Sequence, residues 1–164
     1  MQESSVRQAR KGGRRFDSPQ QEAFLNLWRT YDRLRGLEDE LFGRFGLTAQ
    51  QYNALRLLRA AHPAKVPTLS LASRLVSRAP DITRLVDKLV ERGLVDRERP
   101  VDDRRAVHVG VTEVGVAMLD SIANEVRECH ERQLGHLSIE ELNTLVELLH
   151  KVRGPHEPSG SSWI

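Results

Sequence analysis

Between residues 96 and 112 the chain reads DRERPVDDRRAVHVGVT, which sets Arg97, Arg99, Arg104 and Arg105 around the acidic pair Asp102 and Asp103. Guanidinium groups at this density suit phosphate and the electronegative floor of a narrow DNA groove. The acids look misplaced beside phosphate until geometry is considered. A carboxylate two residues from an arginine can accept its hydrogen bonds and hold the side chain outward, so Asp103 is expected to orient Arg105. Arg104, Arg97 and Arg99 are then candidates for phosphate contacts. Just upstream, Pro80 opens the run DITRLVDKLVERG, in which Ile82, Leu85, Val86, Leu89 and Val90 fall on one side of a helical wheel. Arg84 and Asp87 fall opposite, flanked by Asp81, Thr83 and Lys88. A helix of this width fits the major groove of B-form DNA, and its N-terminal half would present Asp81, Thr83, Arg84 and Asp87 to base edges.

These side chains need a scaffold, and the rest of the sequence describes one. Residues 1–17 are polar, basic and glycine-containing, and read as a flexible arm. From 18 to 46, Phe24, Leu27, Trp28, Tyr31, Leu34, Leu37 and Leu41 recur at three- and four-residue steps, with Ser18-Pro19 as a start signal and Gly46 as a stop. The stripe runs the whole length of the helix, so part of it is expected to pack on a second chain. Thr48 then caps QQYNALRLLRAA, with Tyr52, Leu55 and Leu58 inward, and Thr68 caps LSLASRLV. The latter and the helix after Pro80 form a helix-turn-helix. Residues 94–99 and 106–111 read as strands joined by PVDDRR, a β-hairpin whose tip carries the arginines. Thr112-Glu113 start a long helix carrying Val114, Ala117, Met118, Ile122 and Val126. Ser138 with Glu141 forms a capping box before a last helix carrying Leu142, Leu145, Leu148, Leu149 and Val152, and residues 154–164 read as a frayed tail.

At 164 residues the chain has room for one ordinary domain with a sizeable core. The net charge of +2 conceals an uneven distribution. Residues 1–16 carry five bases against one acid and residues 74–112 nine against seven, whereas residues 113–150 carry two against eight. One end therefore suits a polyanion and the other does not. No apolar run approaches a membrane span, and a single cysteine, Cys129, excludes an internal disulfide framework; a cytoplasmic protein is expected. Cys129 and His130 are adjacent and His136 is six residues on, which misses the spacing that puts two metal ligands on one helical face. With no glycine-rich phosphate loop and no nucleophile elbow, neither an enzyme nor a bound cofactor or metal is expected.

Residues 47–119 resemble a winged helix-turn-helix of the MarR family of bacterial transcriptional regulators, through LSLASRLV, PDITRLVDKLVERGLVDRERP and DDRRAVHVGVT followed by EVG. QQYNALRLLR, preceded by WRTYDRL, extends the similarity to roughly residues 20–150. The fold implied is mainly α with a small β-hairpin wing, flanked by long dimerisation helices: 18–46 first, and the helices of 113–153 last, around a DNA-binding region at 47–112. By position, Asp103 and Arg105 match the family's wing pair, and Pro80, Thr83 and Arg84 its recognition helix. The sequence departs from the pattern at Ala79, where a serine-like cap is usual, and at Val111, where leucine is commoner. The resemblance implies a homodimer on a palindromic site in double-stranded DNA, acting as a repressor, and release by a small aromatic or phenolic effector. Trp28, Tyr31, Arg35 and Tyr52 would then combine aromatic walls with a carboxylate partner. The competing reading is a protein-interaction module with a vestigial DNA surface.

Overall fold

Ser18 and Pro19 start the first helix as their chemistry predicts: the Ser18 hydroxyl accepts the Gln21 amide at 3.1 Å, and α1 runs Pro19–Arg44. The computed structural model describes residues 16–76, 81–100 and 106–157. Packing divides the chain into two compact units, residues 1–35 and 36–164. In the first, α1 presents Phe24, Leu27, Trp28 and Tyr31 to solvent, with the Phe24 and Trp28 rings tilted at 53° and 6.2 Å apart.

The second unit holds the core. α2 (Ala49–Ala61) starts at a full capping box, in which Thr48 accepts the Gln51 amide and Gln51 returns the contact. A two-residue strand β1 (Val66–Pro67) leads into α3 (Thr68–Arg74), and α4 (Ile82–Glu91) follows. Strands β2 (Val95–Glu98) and β3 (His108–Val111) precede α5 (Glu113–Leu134) and α6 (Ile139–Arg153), which ends in a 3-10 turn. α2 packs on β3 and α4 on β2, while α3 touches both α2 and α4. Leu55, Leu58, Leu71, Val86 and Leu89 are almost fully buried there, each contributing roughly 1.5–3 kcal/mol relative to exposure. No helix among the described residues is long and apolar enough to cross a membrane.

The sheet is antiparallel in the order β1-β3-β2, with Val66 opposite Val109, Val95 opposite Val111 and Arg97 opposite Val109. Because side chains alternate, Val66, Val95, Arg97, Val109 and Val111 share one face, and Asp96, Glu98, His108 and Gly110 share the other. Pro67 has no amide to give a ladder and lies on the edge strand, where that costs little.

Three sequence expectations shift. Thr68 does not cap α3; it lies in the first turn, and both its amide and its hydroxyl donate to the Val107 carbonyl at 2.9 Å, tying α3 to the wing. The strands are shorter than 94–99 and 106–111. On α5 the buried stripe is Gly115, Leu119, Ile122, Val126, Cys129 and Gln133, leaving Val114 and Ala117 exposed. The stripe contains a glycine, a cysteine and a glutamine, which hydropathy does not mark as inward. On α6 no residue is fully buried, and Val146, Leu148 and Val152 face solvent.

Candidate nucleic-acid interface

The helix after the proline is one-sided, as its pattern predicts: Leu85, Val86 and Leu89 are buried, with Ile82 and Val90 half-buried beside them. Thr83, Arg84 and Lys88 stand exposed on the opposite face. Asp81, expected to face base edges, also starts the helix. Its carboxylate accepts the Arg84 amide at 2.8 Å and caps the helix, which also fixes where the helix begins. The cap that Ala79 cannot supply comes from Asp81. Pro80 lies outside the described residues.

At the other end of α4, Gly93 turns the chain with φ +67°. Arg92 beside it reaches back to the corner after α1, donating to the Gly46 carbonyl at 2.6 Å and to the Phe45 carbonyl at 3.0 Å. α4 is thus capped at its start by Asp81, tied at its end to the corner after α1, and packed along one side on the core.

Two of the predicted wing arginines lie on or just past strand β2, and they behave differently. The Arg97 guanidinium pairs with the Asp87 carboxylate at 2.5 Å and reaches the Thr83 carbonyl at 3.3 Å, both on α4. Arg99, just past the strand, is exposed and lines a groove of about 650 Å³ with Thr83, Ile82 and Leu69. Asp103, Arg104 and Arg105 lie outside the described residues. On the opposite sheet face Lys65, which no local pattern singles out, bridges Asp96 at 2.8 Å and Glu98 at 3.1 Å. These two carboxylates, Asp96 foremost, hold the Lys65 ammonium above the usual lysine range. Gly110 makes the crossing possible, since a Cβ there would meet the Lys65 chain at 2.8 Å.

With this geometry in place, the comparisons decide the lineage. The sequence model of the MarR family matches residues 47–107. A MarR transcription factor from Planctomyces limnophilus, known from its crystal structure, is 54% identical, with 83% of this chain and 98% of that one covered and a TM-score of 0.67. The chain belongs to the MarR family. A MarR variant from Escherichia coli complexed with operator DNA is 27% identical over 80% of this chain and 93% of that one, with a TM-score of 0.72. Among curated relatives, the homoprotocatechuate degradative operon repressor of Escherichia coli is 26% identical, covering 65% of this chain and 70% of the relative. This MarR-family chain is therefore a transcriptional regulator with a winged helix, not an enzyme.

The expected effector residues of this MarR-family protein lie in two places. Trp28 and Tyr31 sit three residues apart on α1 and are exposed, and Arg35 closes the first unit. Tyr52 belongs to the second, half-buried, its ring stacked on Phe42 at 4.4 Å between centroids. Burial pushes the Tyr52 hydroxyl above its ordinary value, against the pull of the Arg56 charge. Cys129 is buried at 5% exposure. Burial, with Glu38 adding to it, raises the thiol, so the nucleophilic thiolate is scarce at neutral pH.

Proposed function

We propose that the protein is a homodimeric repressor that places two α4 helices in successive major grooves of a palindromic operator while its wings enter the flanking minor grooves. The observation that carries this reading is the exposed edge of α4, where Thr83, Arg84 and Lys88 stand free of the core beside a wing fixed against the same helix. Arg84 and Lys88 lie one turn apart and supply the positive charge, and Arg99 with Arg104 and Arg105 extends it along the wing. Dimerisation is supported by the surface. Nine of the twelve large hydrophobic side chains exposed among the described residues lie on α1 and α6, far above what scattered surface apolar residues require.

An aromatic effector is supported by the relative named as repressor of a homoprotocatechuate degradative operon, homoprotocatechuate being an aromatic acid. Trp28, Tyr31 and Arg35 on α1, and separately Tyr52 on α2, remain the residues proposed for contact with it.

The test is fluorescence anisotropy with duplex DNA from immediately upstream of the gene, across a salt series. The affinity of a phosphate-contacting dimer falls steeply with log salt. Arg105→Ala is expected to weaken operator binding by roughly 1–3 kcal/mol, the scale of one good groove contact. A flat salt dependence would leave the interaction-module reading in its place, and an unchanged Arg105→Ala affinity removes the wing from the mechanism.

A further inference from the structure

The contact between Arg97 and α4 has a role that its surface position does not suggest. A single guanidinium nitrogen, Nη2, lies 2.5 Å from the Asp87 carboxylate and 3.3 Å from the Thr83 carbonyl, two points one helical turn apart on the groove-facing helix. Arg97 leaves the apolar face of β2 beyond Val95, whereas Asp96 and Glu98 leave the other face and meet Lys65. The strand is thereby gripped from both sides, toward α4 by one ion pair and toward the residue before β1 by two. We propose that Arg97 and Asp87 form a positioning pair, a latch that makes the wing and the recognition helix one rigid reading head and fixes the reach of the wing relative to the groove. The proposal rests on the DNA-binding reading above and assigns neither residue to direct DNA contact.

Simple electrostatics and the latch predict opposite signs, which makes the idea sharp. Asp87 is an acid on a surface meant for a polyanion, and its side chain is 44% exposed. If charge alone mattered, Asp87→Asn would tighten binding to every duplex. If the pair is a latch, the substitution releases the wing, and operator binding weakens although a repulsive charge has gone. The freed Arg97 then becomes available to phosphate, so binding to unrelated DNA tightens and its salt dependence steepens by about one phosphate contact. Arg97→Ala loses operator affinity by the same route but leaves the salt slope unchanged, because the native guanidinium is neutralised by Asp87 and touches no phosphate. A direct phosphate contact at Arg97 would instead lower the slope by about 0.9.

The experiment measures operator and scrambled-duplex affinities across salt for wild type, Asp87→Asn, Arg97→Ala and the double variant, with amide hydrogen exchange of β2 in the free proteins. The expected result is about a tenfold loss of operator affinity in each single variant, the scale of misplacing one good base contact. The double variant should be no worse than either single, as for two residues acting through one interaction. Exchange at β2 should quicken while the amides of α2 keep their protection. Operator binding by Asp87→Asn equal to or tighter than wild type, or unchanged β2 exchange, overturns the latch while wild type still binds. Wild type that binds no duplex is a different failure, since it removes the DNA-binding reading on which the latch depends.

Discussion

Gly115→Ala is expected to destabilise the protein by about 2–3 kcal/mol, against the ordinary direction for a glycine in a helix. Replacing an exposed helical glycine by alanine stabilises by roughly 0.5–1 kcal/mol, through the smaller entropy lost on folding. Gly115 is buried in the first turn of α5, and a Cβ there would clash with the Leu94 carbonyl oxygen and lie 2.6 Å from a Val111 methyl. Neither neighbour is free to yield. The Leu94 carbonyl accepts the Thr112 amide at 3.1 Å, and the Thr112 hydroxyl both donates to the Gly93 carbonyl at 2.6 Å and accepts the Gly115 amide at 3.1 Å. The end of β3, the turn after α4 and the start of α5 therefore meet at one point with no slack. Thermal unfolding followed by circular dichroism should show a midpoint lowered by about 5–10 °C, at the few degrees per kcal/mol usual for this size. A midpoint equal to or above wild type would mean that the close approach at this corner is not real.

The second large effect is on assembly. In the proposed homodimer, Trp28→Asp is expected to leave a monomer at micromolar concentration and to abolish operator binding with it. Trp28 is 61% exposed in the single chain, beside Phe24 at the same 61%, in a stretch where Leu27 and Tyr31 also face solvent. Tryptophan at the centre of an interface commonly contributes 2 kcal/mol or more, and two-fold symmetry makes one substitution act twice. Placing a carboxylate there adds the cost of desolvating a charge. The dimer dissociation constant should rise at least a thousandfold, since about 2 kcal/mol at each of two copies is roughly 4 kcal/mol before the cost of the charge is added. Sedimentation velocity reads this directly, with circular dichroism confirming that the helices persist. A variant that stays dimeric would move the interface away from this part of α1.

Much of this architecture was legible because the signals are local. Thr48, Thr112 and Ser138 each cap a helix within three residues, and their partners are written beside them in the sequence. The one-sidedness of α4 is likewise a matter of spacing within ten residues. What is not legible depends on register and distance. β1 is two residues long and contains a proline, so no alternation announces it; yet it sets Lys65 against Gly110 and thereby against Asp96 and Glu98. Thr68 has the composition of a cap and is used instead as a tie to Val107, thirty-nine residues away. Arg97 reads as one more arginine in a basic run, and only the placement of β2 beside α4 pairs it with Asp87. Charge runs reveal the kind of ligand; the fold decides which charges remain free to meet it.

The proposed function requires two helices to enter DNA as a symmetric pair. The most direct measurement is footprinting of the purified protein on the DNA upstream of its gene, with the number of chains per complex counted by light scattering. Two protected half-sites about one helical turn apart, occupied by two chains, are predicted. A single protected half-site bound by one chain, or no protection even at low salt, would contradict it.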